Sequence, residues 1–110
     1  MDYRRFQSQA QLACYTNERD AIREYDATTP ITTNLMGTFK DLDYFEWAKE
    51  MDVVSRDNYP GMDTPPSFTA MCHDLMRSLK GKHFMLMEQT PSQQNWQPYN
   101  SLKRPGQMRA

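Results

Sequence analysis

Three stretches of helical periodicity, each followed by a short β-branched or apolar run, restrict what this chain can fold into. Over Gln9–Asp26 the spacing of Leu12, Tyr15, Ile22 and Tyr25 predicts a helix with one apolar face, and Pro30 stops it. Ile31–Leu35 is rich in β-branched residues and predicts a strand, closed by the turn signal of Gly37. A second helix is predicted over Asp41–Met51, with Leu42, Phe45, Ala48 and Trp47 inward. A short strand Asp52–Ser55 follows, then the loop punctuation Asn58-Tyr59-Pro60-Gly61. The third helix has the clearest signal. Pro65-Pro66 suits a first turn, Phe68, Met71, Cys72, Leu75, Met76 and Leu79 share one face, and Lys80-Gly81 suits an end. His83–Glu88 then reads as a buried apolar strand that closes on a carboxylate.

Helices and strands that alternate in this way predict an α/β fold with a parallel sheet. Right-handed crossovers bring the C-terminal strand ends to one edge. Those ends carry Asn34, Asp57 with Tyr59, and Glu88, so a polar site is expected there. Strand ends of this kind hold a residue firmly while the next loop leaves it open to substrate. Taken singly, Glu88 reads more readily as a solvated surface carboxylate than as a catalytic one. Three parallel strands also leave both outer strands as open edges, which predicts either a small three-layer domain or a piece of something larger.

Composition excludes several classes. With 13 Lys+Arg against 14 Asp+Glu in 110 residues, the formal net charge is -1, so no basic excess points to nucleic acid or an anionic membrane surface. No apolar run approaches a membrane span, and the charged N-terminus lacks a signal-peptide core. Cys14 and Cys72 fit no metal or disulfide pattern; Cys72, in the apolar stripe, reads as a plain buried thiol. His73 reads as a surface residue on the polar side of the third helix, and His83 as a strand start with no partner in sequence. No metal and no cofactor is expected, and nothing opposes a cytoplasmic home.

The residues Thr32-Thr33-Asn34-Leu35-Met36-Gly37, Leu42-Asp43-Tyr44-Phe45, Met51-Asp52-Val53-Val54-Ser55 and Asp57-Asn58-Tyr59-Pro60 occur in series. Leu86-Met87-Glu88-Gln89-Thr90-Pro91-Ser92, Asn95-Trp96-Gln97-Pro98 and Arg104-Pro105-Gly106 follow them. Together, in order and at their spacings, they resemble the β-galactosidases of glycoside hydrolase family 42 over essentially the whole chain. The resemblance implies a (β/α)8 TIM barrel with a retaining site, and makes residues 1–110 a part of that catalytic domain. The three strands become the fifth, sixth and seventh of the barrel. Glu88 aligns with the nucleophile. Trp96 matches the tryptophan that shapes the galactose subsite. Tyr59 takes the role of a tyrosine bonded to the nucleophile, and Asp57 and Asn34 face the substrate.

Retaining hydrolysis needs two carboxyl groups about 5–5.5 Å apart, one attacking the anomeric carbon and one serving as acid and then base. In the family the acid/base glutamate ends the fourth strand, which would precede Met1. The family's metal-binding cysteine cluster is absent too, and Arg56 stands where the family commonly has tryptophan. The expectation is therefore an internal fragment of a β-galactosidase, inactive and poorly soluble alone, whose partner is a galactoside and whose full-length form is a homo-oligomer, often a trimer. The competing expectation is a non-catalytic α/β binding or interaction module derived from a barrel segment.

Overall fold

A computed structural model describes residues 2–90 and 102–106. The elements run α1 (Asp2–Arg23), β1 (Asn34–Leu35), α2 (Tyr44–Glu50), β2 (Ser55–Asn58), α3 (Pro66–Lys80) and β3 (Met85–Gln89). The strands form one sheet in the order β1-β2-β3, parallel throughout. The alternation seen in the sequence is therefore the alternation of the fold, and β1 and β3 are its edges.

Several boundaries differ from expectation, each for a local reason. α1 begins at Asp2 rather than Gln9, because its first turns are docked: Arg4 pairs with Asp41 at 3.0 Å, and Ser8 Oγ accepts from the Asp43 amide at 3.0 Å. It ends at Arg23, and Asp26 then turns the chain by accepting from the Thr28 and Thr29 amides, each at 2.9 Å. β1 shortens to Asn34–Leu35 because the preceding residues bond to side chains or through their own. The Ile31 amide donates to Asp52 Oδ2 at 2.7 Å, and Thr32 Oγ1 donates to the Val53 carbonyl at 2.5 Å. β2 is Ser55–Asn58, displaced from the predicted Asp52–Ser55.

α2 starts on Asp43, whose side chain accepts from the Glu46 amide at 3.2 Å. Its inward residues are Tyr44, Trp47 and Ala48, whereas Phe45, expected inside, is 55% exposed. At the other end Lys80 Nζ, from the last turn of α3, donates to the carbonyls of Ala48 (2.7 Å) and Met51 (2.5 Å). A cation there offsets the carbonyl end of α2. Gly81 ends α3 at φ 63°, a conformation that favours glycine.

The core gathers Tyr15, Leu35, Trp47, Ala48, Met51, Val54 and Met76, with the Tyr15 and Trp47 rings 5.7 Å apart. A fully buried Met such as Met76 contributes about 1.5–3 kcal/mol. Only part of the predicted α3 stripe is inside: Cys72 and Met76 are buried, while Phe68 and Met71 are exposed. Tyr15 on α1 is buried, but Tyr25, read as part of the same face, lies beyond the end of α1 and is exposed. His73 is half-buried rather than on the surface, its ring 5.3 Å from that of Phe84. β3 departs most from the sequence reading. Of the run His83–Glu88 expected to be buried, Phe84 is partly buried against the core, but Met85–Glu88 are exposed, because β3 is an edge strand with no described element over it. No described helix is long and apolar enough to cross a membrane.

Candidate functional site

The C-terminal ends of the three strands do converge. Asn34, expected to end its strand, instead opens the two-residue β1, which Leu35 ends; Asp57 lies in β2, Tyr59 follows β2 directly, and Glu88 lies in β3. The pairing of β2 with β3 decides how they meet. Ser55 stands opposite Met85 and Arg56 opposite Leu86, but the register then slips, so that Asp57 stands opposite Glu88 and Asn58 opposite Gln89. Side chains alternate faces along a strand, so this irregularity at Met87 moves Glu88 to the face of Asp57. Regular pairing would put Met87 opposite Asp57 and turn Glu88 to the other face.

Both carboxylate oxygens of Glu88 are held. Tyr59 Oη donates to Oε2, and Asn34 Nδ2 donates to Oε1 at 3.2 Å. The same Asn34 nitrogen also donates to Asp57 Oδ2 at 3.2 Å, using both of its amide hydrogens. Asn58 Nδ2 donates to Gln89 Oε1 at 2.9 Å, and the Thr90 amide donates to the Asn58 carbonyl at 3.3 Å, fastening the β3 end to β2. The Asn58–Gln89 brace was missed in the sequence; its only signal is that each residue directly follows a site residue.

The two carboxyl groups sit in different environments. Glu88 is exposed, whereas Asp57 is 4% exposed. Burial pushes the Asp57 pKa up and the nearby Glu88 charge adds to this, against the Asn34 hydrogen bond and the Arg56 charge. The Tyr59 hydroxyl is also pushed up, chiefly because it donates to Glu88. Chemically the cluster presents one open carboxylate with a fixed orientation, backed by a second, sheltered carboxyl whose Oδ2 accepts from Asn34 and whose Oδ1 is buried without a partner.

Arg56, expected in the pocket wall, is buried, and its Nε donates to the Asp57 carbonyl at 3.1 Å. Its opposite number in the register is Leu86 on one side and Leu35 on the other. Thus four of the five predicted site residues, Asn34, Asp57, Tyr59 and Glu88, come together. The fifth, Trp96, lies outside the described residues.

The sequence matches the family model of glycoside hydrolase family 42, described as beta-galactosidase, over residues 1–110. The beta-galactosidase BgaP of Planococcus sp. (strain L4) is 73% identical over 110 residues, which is 99% of this chain and 16% of that protein. BgaA of Planococcus sp. (strain 'SOS Orange') is 74% identical over 111 residues, with the same coverage of 99% and 16%. Among solved structures, the beta-galactosidase from Bacillus circulans sp. alkalophilus superposes with a TM-score of 0.89 at 67% identity, covering 98% of this chain and 16% of that one. The chain thus spans about a sixth of the length of the relatives it matches.

Proposed function

The chain belongs to glycoside hydrolase family 42, and from that premise we propose that it carries the nucleophile of a retaining β-galactosidase, with Glu88 attacking the anomeric carbon of a terminal β-D-galactosyl residue. β1, β2 and β3 are, in this reading, the fifth, sixth and seventh strands of a (β/α)8 barrel. The observation that carries it is the double hold on Glu88: Tyr59 on Oε2 and Asn34 on Oε1, on a residue that stays exposed.

The chemistry follows from that hold. A carboxylate attacks well when its approach is fixed beforehand, since the orientation is then already set when substrate arrives. The bond from Glu88 to the anomeric carbon forms as the bond to the leaving oxygen breaks, giving a covalent galactosyl-enzyme that water then releases. Tyr59 and Asn34 are positioning residues in this step. Trp96 is assigned the apolar side of the sugar ring by resemblance alone.

Asp57 does not serve as the acid. It is buried, and its Oδ2 is engaged by Asn34, so it cannot reach a leaving group in solvent. The acid/base carboxyl therefore belongs to a part of the polypeptide beyond these residues, and the 110-residue chain alone is expected to be inert. Measurable hydrolysis of an aryl galactoside by the purified chain would refute that.

The test of the nucleophile uses an active polypeptide that contains this chain. Glu88→Gly should lose hydrolysis of aryl β-galactosides, and azide should restore turnover with α-galactosyl azide as product. Azide then enters from the face that Glu88 vacates. A β-galactosyl azide product would instead make Glu88 the acid/base, and unchanged hydrolysis would remove it from the chemistry.

A further inference from the structure

The slip that brings Glu88 to the face of Asp57 has to be held in place. Met87 has no opposite number in β2, and β3 is an edge of the described sheet, so no strand on its far side fixes its register. Regular pairing differs by a single residue. It would set Met87 opposite Asp57 and Glu88 opposite Asn58, with Glu88 turned away from the face that Asn34 and Tyr59 serve.

Asn58 and Gln89 stand opposite each other only after the slip, and there Asn58 Nδ2 donates to Gln89 Oε1 at 2.9 Å. Each adjoins a residue of the site: Asn58 precedes Tyr59, and Gln89 follows Glu88. Side chains alternate along a strand, so this pair lies on the other face of the sheet from Asp57 and Glu88. On that side both border a cavity of about 530 Å³ with Thr69, Ala70 and His73 of α3. A sugar on the Glu88 face is out of their reach.

The unequal burial of the pair gives it selectivity. Asn58 is 4% exposed, so its amide donor needs an acceptor within the protein, whereas Gln89 is exposed. In the regular register the acceptor opposite Asn58 would be Glu88 itself, on the wrong face. In the slipped register Gln89 supplies that acceptor and leaves Glu88 to Tyr59 and Asn34. The chain is fastened again directly after the pair. The Thr90 amide donates to the Asn58 carbonyl at 3.3 Å, and Lys103 Nζ donates to the Thr90 carbonyl at 2.7 Å.

We propose that Asn58 and Gln89 are positioning residues for the reaction: their hydrogen bond selects the slipped register and so keeps Glu88 on Tyr59 and Asn34. This rests on Glu88 as nucleophile and adds control of its placement from the opposite face of the sheet.

The test uses the active polypeptide that contains this chain. Gln89→Met removes the acceptor and keeps the length of the side chain. Its kcat on an aryl β-galactoside should fall about 10–100-fold with KM little changed. Gln89→Glu keeps an acceptor for Asn58 and should recover most of that loss. Tyr59→Phe combined with Gln89→Met should lose little beyond the worse of the two single variants, because both act on the placement of Glu88. A pair that only stabilised the fold would lower the unfolding midpoint and leave kcat per folded molecule as in the parent. Parent-like kcat in Gln89→Met, an equal loss in Gln89→Glu, or losses that multiply in the double variant each overturn the proposal. A crystal structure of the parent polypeptide decides the matter if Gln89→Met does not fold: Met87 should stand unpaired with Asn58 on Gln89, and regular pairing there overturns it. The azide experiment separates this proposal from the one beneath it. α-Galactosyl azide from Glu88→Gly beside parent-like kcat in Gln89→Met removes the positioning pair and leaves the nucleophile, whereas unchanged hydrolysis by Glu88→Gly removes both.

Discussion

β2 and β3 are neighbours in one sheet, and their compositions are the reverse of their environments. β2 reads Ser-Arg-Asp-Asn and is buried at every position. β3 reads Met-Leu-Met-Glu-Gln and is exposed at every position. Hydropathy alone would exchange them. The difference comes from place in the sheet: β2 has a strand on each side and α3 against it, whereas β3 is an edge. Buried polar groups need partners, and in β2 most find one, Arg56 Nη1 and Asp57 Oδ1 excepted. Ser55 Oγ donates to the Thr33 carbonyl at 2.7 Å, Asn58 bonds Gln89, and Asp57 accepts from Asn34. Among the described residues β2 is thus the buried centre of the sheet, while β3, at its edge, carries the carboxylate proposed to react.

The hardest test of that contrast is Glu88→Gly, which should lower turnover of the active polypeptide by roughly 10⁴–10⁶-fold. The unfolding free energy should move by less than about 1 kcal/mol, since Glu88 is exposed. A large stability loss would mean that β3 is structural after all. Next is Ser55→Val in β2, which removes the donor to the Thr33 carbonyl and the acceptor for Thr32 Oγ1. Urea unfolding should show a loss of about 1–3 kcal/mol, while Leu86→Ser in β3, at a position 42% exposed, should cost this chain less.

Tyr59→Phe sharpens the comparison, since Tyr59 belongs to the β2 end but acts on β3. Losing one hydrogen bond to a charged acceptor should lower kcat about 10–100-fold with little change in stability. The smallest effect is a pH dependence. The folded-state pKa of Asp57 is raised above its ordinary 3.8, chiefly by burial. The folded protein therefore holds that proton more tightly than the unfolded one, and stability falls as pH rises from about 3.8 through the folded pKa. Asp57→Asn keeps an acceptor for Asn34 and should flatten that segment of the stability–pH curve. An unchanged curve would show that the charge on Asp57 is already compensated.

That Asn34, Asp57, Tyr59 and Glu88 meet was largely legible in sequence, because strand ends in a parallel α/β unit share one edge whatever the details. Asn34, Asp57, Tyr59 and Glu88 follow from that rule and from the motif series. Burial was less legible. The apolar run at Met85–Met87 predicts a covered strand, but covering depends on neighbours that a local pattern does not contain. Arg56 read as a change in a pocket wall; only the packing of α3 on β2 shows it buried, with its Nε on the Asp57 carbonyl.

By itself the sequence determined the α-β-α-β-α-β order, the parallel sheet, the family and the strand-end carboxylate, since these rest on periodicity, chain-reversal signals and residue identity. The tertiary structure decided that the two carboxyls share one face of the sheet. That choice turns on the slip in register between β2 and β3, which gives Met87 no opposite number and brings Glu88 to the face of Asp57 and Asn34. A shift of one residue inverts every side chain beyond it, and no local sequence signal fixes the residue at which two separate strands slip.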